Sequence, residues 1–79
     1  MDIKVLGTGC ANCKNTIALI DQVAKAKGVD VTLEKVEDLR DIMSYGVMST
    51  PGVVINGKVV HAGGVPSRDK IEQWLAAGA

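Results

Sequence analysis

The spacing of apolar residues changes along the chain, and each spacing predicts a different element. Ile3–Leu6 is an apolar run interrupted only by Lys4, which is typical of a short and mostly buried strand. After a Gly-Thr-Gly segment at 7–9, apolar side chains recur at the spacing of one helix face: Cys13, Ile17, Ile20 and Ala24. This helix is predicted to begin near Cys10 and to end at Gly28.

The next stretch predicts an edge strand and a short helix. Val29–Glu34 alternates between apolar and polar residues, as expected of a strand with one face in solvent near the edge of a sheet. The first strand, the helix and this strand form a crossover unit, which favours parallel pairing and a right-handed connection. Asp38 is a suitable N-cap for a second helix that ends near Gly46. Its predicted inward positions are Leu39, Ile42 and Met43.

The last third of the chain predicts a hairpin and a final helix. Asn56-Gly57 separates the apolar runs Val53–Ile55 and Lys58–Val60, and this dipeptide is the strongest short signal of a type I′ hairpin. Ser67 can cap the final helix. The predicted buried face of that helix contains Ile71, Trp74 and Leu75.

These elements together predict the fold class. Their order is β-α-β-α-β-β-α, with a parallel first pair of strands and an antiparallel last pair. We therefore expect an α/β fold with one mixed four-stranded sheet. The strands are expected in the order second, first, third, fourth, with three helices on the faces of the sheet.

Composition limits the classes of function. The chain has 79 residues, so we expect a single domain that covers 1–79. Nine basic and nine acidic residues cancel and aromatic residues make up 3%, which indicates no surface for nucleic acid or an anionic membrane. No apolar run approaches the roughly 18 residues that a membrane span needs. The N-terminal residues lack the pattern of a signal peptide, so we expect a cytoplasmic location.

Both cysteines of the chain lie at the junction between the first strand and the first helix. Two residues separate Cys10 from Cys13. In a cytosolic protein this spacing indicates redox catalysis or metal binding rather than a structural disulfide.

Three segments together resemble the thioredoxin fold superfamily, in its small glutaredoxin-sized form. The first is the cysteine motif of residues 7–14, Gly-Thr-Gly-Cys-Ala-Asn-Cys-Lys. The second is Ser49-Thr50-Pro51 before the third strand, where the family has a cis-proline. The third is Gly63-Gly64 after the fourth strand, where the family has glycine near its active site. The resemblance covers the whole chain and implies a thioredoxin-like fold.

The resemblance also implies a function and a set of site residues. It implies a thiol–disulfide oxidoreductase that acts on disulfide-containing proteins and is reduced again by an upstream reductase or thiol donor. It implies a monomer that needs no cofactor beyond its own redox-active disulfide. The implied catalytic pair is Cys10 and Cys13. The implied substrate-binding residues are Thr50, Pro51, Gly63 and Gly64.

The chain departs from the family pattern at three places. Gly9 stands where thioredoxins usually carry Trp, and Ala11-Asn12 stands where they carry Gly-Pro. Lys4 stands six residues before the first cysteine, where thioredoxins often bury an acid that accepts a proton.

The positions of the two thiols on the predicted helix indicate different roles. Cys10 lies at the helix N-terminus, where free N–H groups and the helix dipole favour an anion, so we expect it to have the lower pKa. Cys13 lies on the apolar helix face and is expected to be shielded. Cys10 is therefore the predicted attacking thiol, and Cys13 the thiol that resolves the mixed disulfide.

Other interpretations of the cysteine pair are open at this point. The pair could be buried and inert or form a small structural disulfide, although a disulfide that closes so short a loop stabilises the fold little. A soft-metal carrier of the copper type could bind through Cys10 and Cys13. Such carriers have a central hairpin and usually a Met two residues before the first cysteine, where this chain has a late hairpin and Thr8. A non-catalytic binding module of the same fold would not need an intact pair.

Two further expectations concern residues outside the cysteine motif. Met43 and Met48 are expected to fill the core, with the alternative that Met48 lies beside the proline loop on an apolar substrate surface. His61 follows the fourth apolar run and is expected at the surface rather than at a ligand site.

Overall fold

Four strands and three helices follow one another in the predicted order along residues 1–77, the part of the chain that the structure, a computed structural model, describes. The last two residues of the expected domain, 78–79, lie outside the described residues. The strands are β1 (Asp2–Leu6), β2 (Thr32–Val36), β3 (Gly52–Ile55) and β4 (Lys58–Ala62). The helices are α1 (Ala11–Lys27), α2 (Leu39–Ser44) and α3 (Arg68–Ala77).

The strands form one mixed sheet in the order β2-β1-β3-β4. β1 pairs in parallel with β2, from Asp2 opposite Thr32 to Leu6 opposite Val36. On its other side β1 pairs antiparallel with β3, and β3 pairs antiparallel with β4. The predicted strand order is confirmed, and β2 is an edge strand as its alternating sequence indicated.

β2 begins later than the sequence pattern predicted. The N–H of Val29 donates to the carbonyl oxygen of Ala24 at 3.0 Å, so this residue caps the end of α1 and does not yet pair in the sheet. The strand starts at Thr32, where pairing with β1 begins. Gly28 ends α1 in the left-handed conformation with φ 67°, as predicted.

The hairpin between β3 and β4 has the predicted turn. Asn56 and Gly57 have φ angles of 49° and 85°, and a type I′ turn requires positive φ at both central residues. The Asn56 side-chain oxygen also accepts a hydrogen bond of 3.0 Å from the N–H of Asp2. This bond joins the turn to the start of the central strand.

Two apolar clusters cover the two faces of the sheet. The larger cluster joins β1 and β3 to α1 and α3 through the buried side chains of Ile3, Val5, Ile20, Val23, Ala24, Val53, Ile71 and Leu75. Trp74 is partly buried against it. The smaller cluster joins the other face to α2 through Leu6, Ile42, Val47 and Val54. In the described part of the chain, the helices lack the length and apolarity that crossing a membrane requires.

The expectation that Leu39, Met43 and Met48 belong to the core is wrong. Leu39 is 62% exposed, Met43 66% and Met48 97%. α2 has only six residues and presents a single buried side chain, Ile42, to the sheet. Val47 from the following loop fills the space beside it.

Two leucines provide a matched test of this packing. Leu75 on α3 is 1% exposed, and its replacement by Ala should lower the free energy of unfolding by about 2–5 kcal/mol. The same replacement at Leu39 should change it by about 0.5 kcal/mol or less, since that side chain already contacts water. Urea denaturation of both variants measures the difference. Equal losses would contradict this assignment of core and surface.

Candidate active site

Cys10 is the residue at which the chain leaves the sheet and begins α1. Its backbone is extended, with φ −67° and ψ 162°, and it is the N-cap of the helix. Its Sγ accepts a hydrogen bond of 3.1 Å from the N–H of Cys13. No acidic residue lies in the first turn of α1. The sulfur of Cys10 therefore occupies the position at which a helix stabilises negative charge.

Cys13 has a different environment although it lies only one turn away. It is 4% exposed, whereas Cys10 is partly exposed. It lies on the inner face of α1, one turn before the buried Thr16 and on the same side as Ile20. The sulfurs of Cys10 and Cys13 form a disulfide, with the two Cα atoms 5.1 Å apart. The predicted contrast in exposure between the two thiols is present.

Gly7 allows the β1–α1 loop to pack directly against Cys13. A Cβ atom on residue 7 would overlap the Sγ of Cys13 and would lie 3.2 Å from its Cβ. The N–H of Gly7 also donates to the carbonyl oxygen of Val36 at 2.9 Å, which extends the pairing of β1 with β2 by one residue. Any side chain at this position would displace either the cysteine or the loop.

The segment Ser49-Thr50-Pro51, the proline loop, lies beside residues 7–10, the cysteine loop that joins β1 to α1. The Thr50-Pro51 peptide bond is cis, as the resemblance implied. Pro51 is fully buried, and Thr50 is exposed. The Cβ of Thr50 lies 3.8 Å from the place that a Cβ on Gly7 would occupy. The structure therefore brings Thr50 next to the motif that carries both cysteines.

The two glycines after β4 have different surroundings. Gly63, with φ 85°, donates its N–H to the carbonyl oxygen of Pro51 at 2.9 Å. A Cβ on Gly63 would lie 3.2 Å from the Cβ of Ser49, so this residue packs on the proline loop. A Cβ on Gly64 would meet no atom within 4 Å. Gly63 thus supports the proline loop, and Gly64 lies one residue farther out.

His61 lies on β4 and contacts the turn that follows it. Its Nε2 is 2.9 Å from the carbonyl oxygen of Gly64, and its Nδ1 is 3.1 Å from Nζ of Lys70. Its ring lies 6.0 Å from that of Trp74. Within residues 1–77, no three side chains of the types His, Cys, Asp and Glu converge into a group that could hold a metal ion.

This combination of fold and cysteine geometry matches a known family. Residues 1–76 match the family model described as the thioredoxin domain. The chain belongs to the thioredoxin family. It is a thiol–disulfide oxidoreductase, as the resemblance implied. The copper-carrier alternative is not favoured, because such carriers have a central hairpin and this sheet has a late one.

Thioredoxins from two methanogenic archaea are similar along most of this chain. A thioredoxin of Methanothermobacter thermautotrophicus is 32% identical over 76 residues, which are 96% of this chain and 99% of the relative. One from Methanocaldococcus jannaschii is 33% identical over 73 residues, covering 92% and 84% of the two chains. The solved structure of thioredoxin 1 from Thermosipho africanus shares the fold, with a TM-score of 0.58 and 21% identity, and covers 99% and 98% of the two chains.

Lys4, which occupies the place of the family's buried acid, faces away from the cysteines. It contacts Glu34 at 3.9 Å and borders a surface cavity on the α2 face of the sheet. The Tyr45 side chain first, and then the Glu34 carboxylate, raises the pKa of Lys4 above its usual value. Lys4 therefore stays protonated at neutral pH and cannot take a proton from either thiol.

An apolar groove begins at the site, and Met48 lines it beside Thr50, the position that the alternative for Met48 predicted. The groove has a volume of about 500 Å³ and runs between the cysteine loop, the proline loop and α2. Its lining consists of Thr8, Leu39, Ile42, Met43, Gly46, Val47, Met48 and Thr50. Leu39 and Met43 were predicted as core because helical spacing identifies an apolar face but not what covers it, and Met48 because methionine commonly fills gaps in a core.

The contact between Gly7 and Cys13 is open to a direct test. Gly7→Ala should lower the free energy of unfolding of the reduced protein by about 1–3 kcal/mol, because the added methyl group overlaps the cysteine sulfur. The cost should fall sharply when the same change is made in a Cys13→Ala background, where that sulfur is missing. Denaturant titration of the unchanged protein, the two single variants and the double variant completes the double-mutant cycle. A cost independent of residue 13 would show that the sulfur is not the obstacle.

Proposed function

We propose that this protein reduces disulfides in other proteins, with Cys10 as the attacking thiol and Cys13 as the resolving thiol. The observation that carries the assignment is the hydrogen bond from the N–H of Cys13 to the Cys10 sulfur at the N-cap of α1. A thiolate is the attacking species in disulfide exchange, and a helix N-terminus stabilises it. The partial exposure of Cys10 lets a substrate disulfide reach it.

The reaction consists of two exchanges. The Cys10 thiolate attacks one sulfur of the substrate disulfide, forming a mixed disulfide and releasing the other substrate sulfur as a thiolate. Cys13, deprotonated, then attacks the Cys10 sulfur, which forms the Cys10–Cys13 disulfide and releases the second substrate thiolate. The substrate gains two electrons, which the cysteine pair loses. A reductase or thiol donor must return them.

The groove supports a protein as the substrate. Leu39, Met43 and Met48 form an exposed apolar surface that continues to Thr8 and Thr50 beside the cysteines. Flexible methionine side chains adapt to differently shaped partners. Thr50 is exposed, and its backbone can pair with an extended segment of the substrate while apolar substrate side chains enter the groove.

The cysteine pair is itself the redox group, so the reaction requires no bound cofactor. A reductant of protein disulfides belongs in a reducing compartment, which supports a cytoplasmic location. We further propose that residues 1–79 act as one domain and as a monomer, with Pro51 and Gly63 supporting the backbone that Thr50 presents to the substrate.

The roles of the two thiols can be separated by labelling and trapping. With a limiting alkylating agent near neutral pH, Cys10 of the reduced protein should be labelled first, because it is more exposed and more ionised. Cys13→Ser should accumulate mixed disulfides through Cys10, since no second thiol remains to release the substrate. Cys10→Ser is the matched control and should trap nothing. Mass spectrometry identifies the sites, and preferential labelling of Cys13 would reverse the roles.

The groove can be tested with a single added charge. Met48→Asp should raise KM for an unfolded disulfide-bonded protein about tenfold, equivalent to about 1.4 kcal/mol of lost binding. Reduction of a small aromatic disulfide should be unchanged, since it does not extend into the groove. Ala18→Asp adds the same charge to the exposed surface of α1 and should affect neither reaction. Equal loss with both substrates would rule out a docking role for Met48.

A further inference from the structure

A small cavity beside Cys13 connects the buried cysteine with ionisable side chains. Its volume is about 100 Å³. It is lined by Val5, Gly7, Gly9, Cys13, Lys14, Ile17, Lys35 and Glu37. One water needs only about 10–15 Å³ of such volume, so the cavity has space for water next to the thiol.

The resolving step requires a proton to leave Cys13. Cys13 is 4% exposed, and an apolar environment disfavours the thiolate. Gly7 covers the cysteine sulfur so closely that a methyl group at residue 7 would overlap it. The cavity therefore provides a route by which the proton of the Cys13 thiol can reach an acceptor.

Among the ionisable side chains that line the cavity with Cys13, only the Glu37 carboxylate has oxygens that can accept a proton. Lysine ammonium groups carry donors only, which leaves Lys14 and Lys35 unable to accept. The Glu37 carboxylate lies close to the cysteine loop, because a Cβ on Gly9 would be 3.8 Å from its Oε2. None of the ion pairs in the described part of the chain engages Glu37, so its carboxylate is available.

We propose that Glu37 is the general base for the resolving cysteine, an inference that rests on the roles assigned to Cys10 and Cys13 above. In the mixed disulfide, the Glu37 carboxylate takes the proton of the Cys13 thiol, directly or through water in the cavity. The Cys13 sulfur then attacks the Cys10 sulfur, the bond from Cys10 to the substrate sulfur breaks, and the substrate leaves as a thiolate. The protonated Glu37 returns the proton to that thiolate or to solvent.

The test separates the two exchanges with 5,5′-dithiobis(2-nitrobenzoate), mixed in stopped flow with excess reduced protein. Attack by Cys10 releases a first thionitrobenzoate, and resolution by Cys13 releases a second. Glu37→Gln should slow the second release about 100-fold at neutral pH, the lower end of what general acid–base catalysis contributes. The first release should be unchanged. The defect should shrink at alkaline pH, where hydroxide can remove the proton instead.

Two matched variants control for charge and for structure. Glu34→Gln makes the same change three residues earlier, on β2, but Glu34 pairs with Lys4 outside this cavity, so both releases should keep their rates. Glu37→Asp keeps a carboxylate and should restore part of the second rate. A slower second release in Glu37→Gln would also exclude a purely electrostatic influence of Glu37. Removing a negative charge near Cys13 would by itself favour the Cys13 thiolate and speed the second release.

The outcomes against the inference are distinct from those against the proposed function. A second release that is equally fast, or faster, in Glu37→Gln overturns the role of Glu37 while leaving the two thiol roles intact. If only the first release is slowed, Glu37 acts on Cys10 and not on Cys13, and the inference is likewise overturned. If the unchanged protein gives no second release, the roles of Cys10 and Cys13 fail, and this inference fails with them.

Discussion

The site depends on the pairing of β1 on both of its edges. Because β1 lies between β2 and β3, its direction and its last residue are held by backbone hydrogen bonds on two sides. The bond from the N–H of Gly7 to Val36 prolongs this pairing to the point where the chain turns into α1. Three segments therefore meet at the end of the sheet where β1 finishes: the start of α1, the end of β2 and the proline loop before β3.

This convergence gives two identical side chains unlike environments. Cys10 is the N-cap of α1, so its sulfur accepts a backbone N–H and remains partly exposed. Cys13 lies one turn farther along and faces Gly7 at the end of the central strand. The helix thus provides a site for an anion and a shielded position within a single turn. This difference suits the proposed division into an attacking and a resolving thiol.

Much of the fold follows from short-range features of the chain. Asn56-Gly57 predicts its hairpin, Gly28 the end of α1 and Asp38 the start of α2, because each acts on backbone atoms within a few residues. The cysteine spacing and its place before a helix predict the redox chemistry for the same reason. The start of β2 was predicted less well, because Val29 alternates like a strand residue while its N–H still bonds to Ala24.

The sequence by itself determined the order of the elements, the position of both thiols at the start of α1 and the chemistry available to them. Only the tertiary structure decided which apolar side chains of the α2 region stay exposed and which ionisable groups lie near Cys13. Helical spacing places Leu39 and Ile42 on one face, but the sheet covers only Ile42. Glu37 is 24 positions from Cys13 in sequence, yet both line one cavity because parallel pairing brings the end of β2 beside α1. Local patterns record what each element can bury or bind, whereas contacts between distant segments depend on how the elements pack.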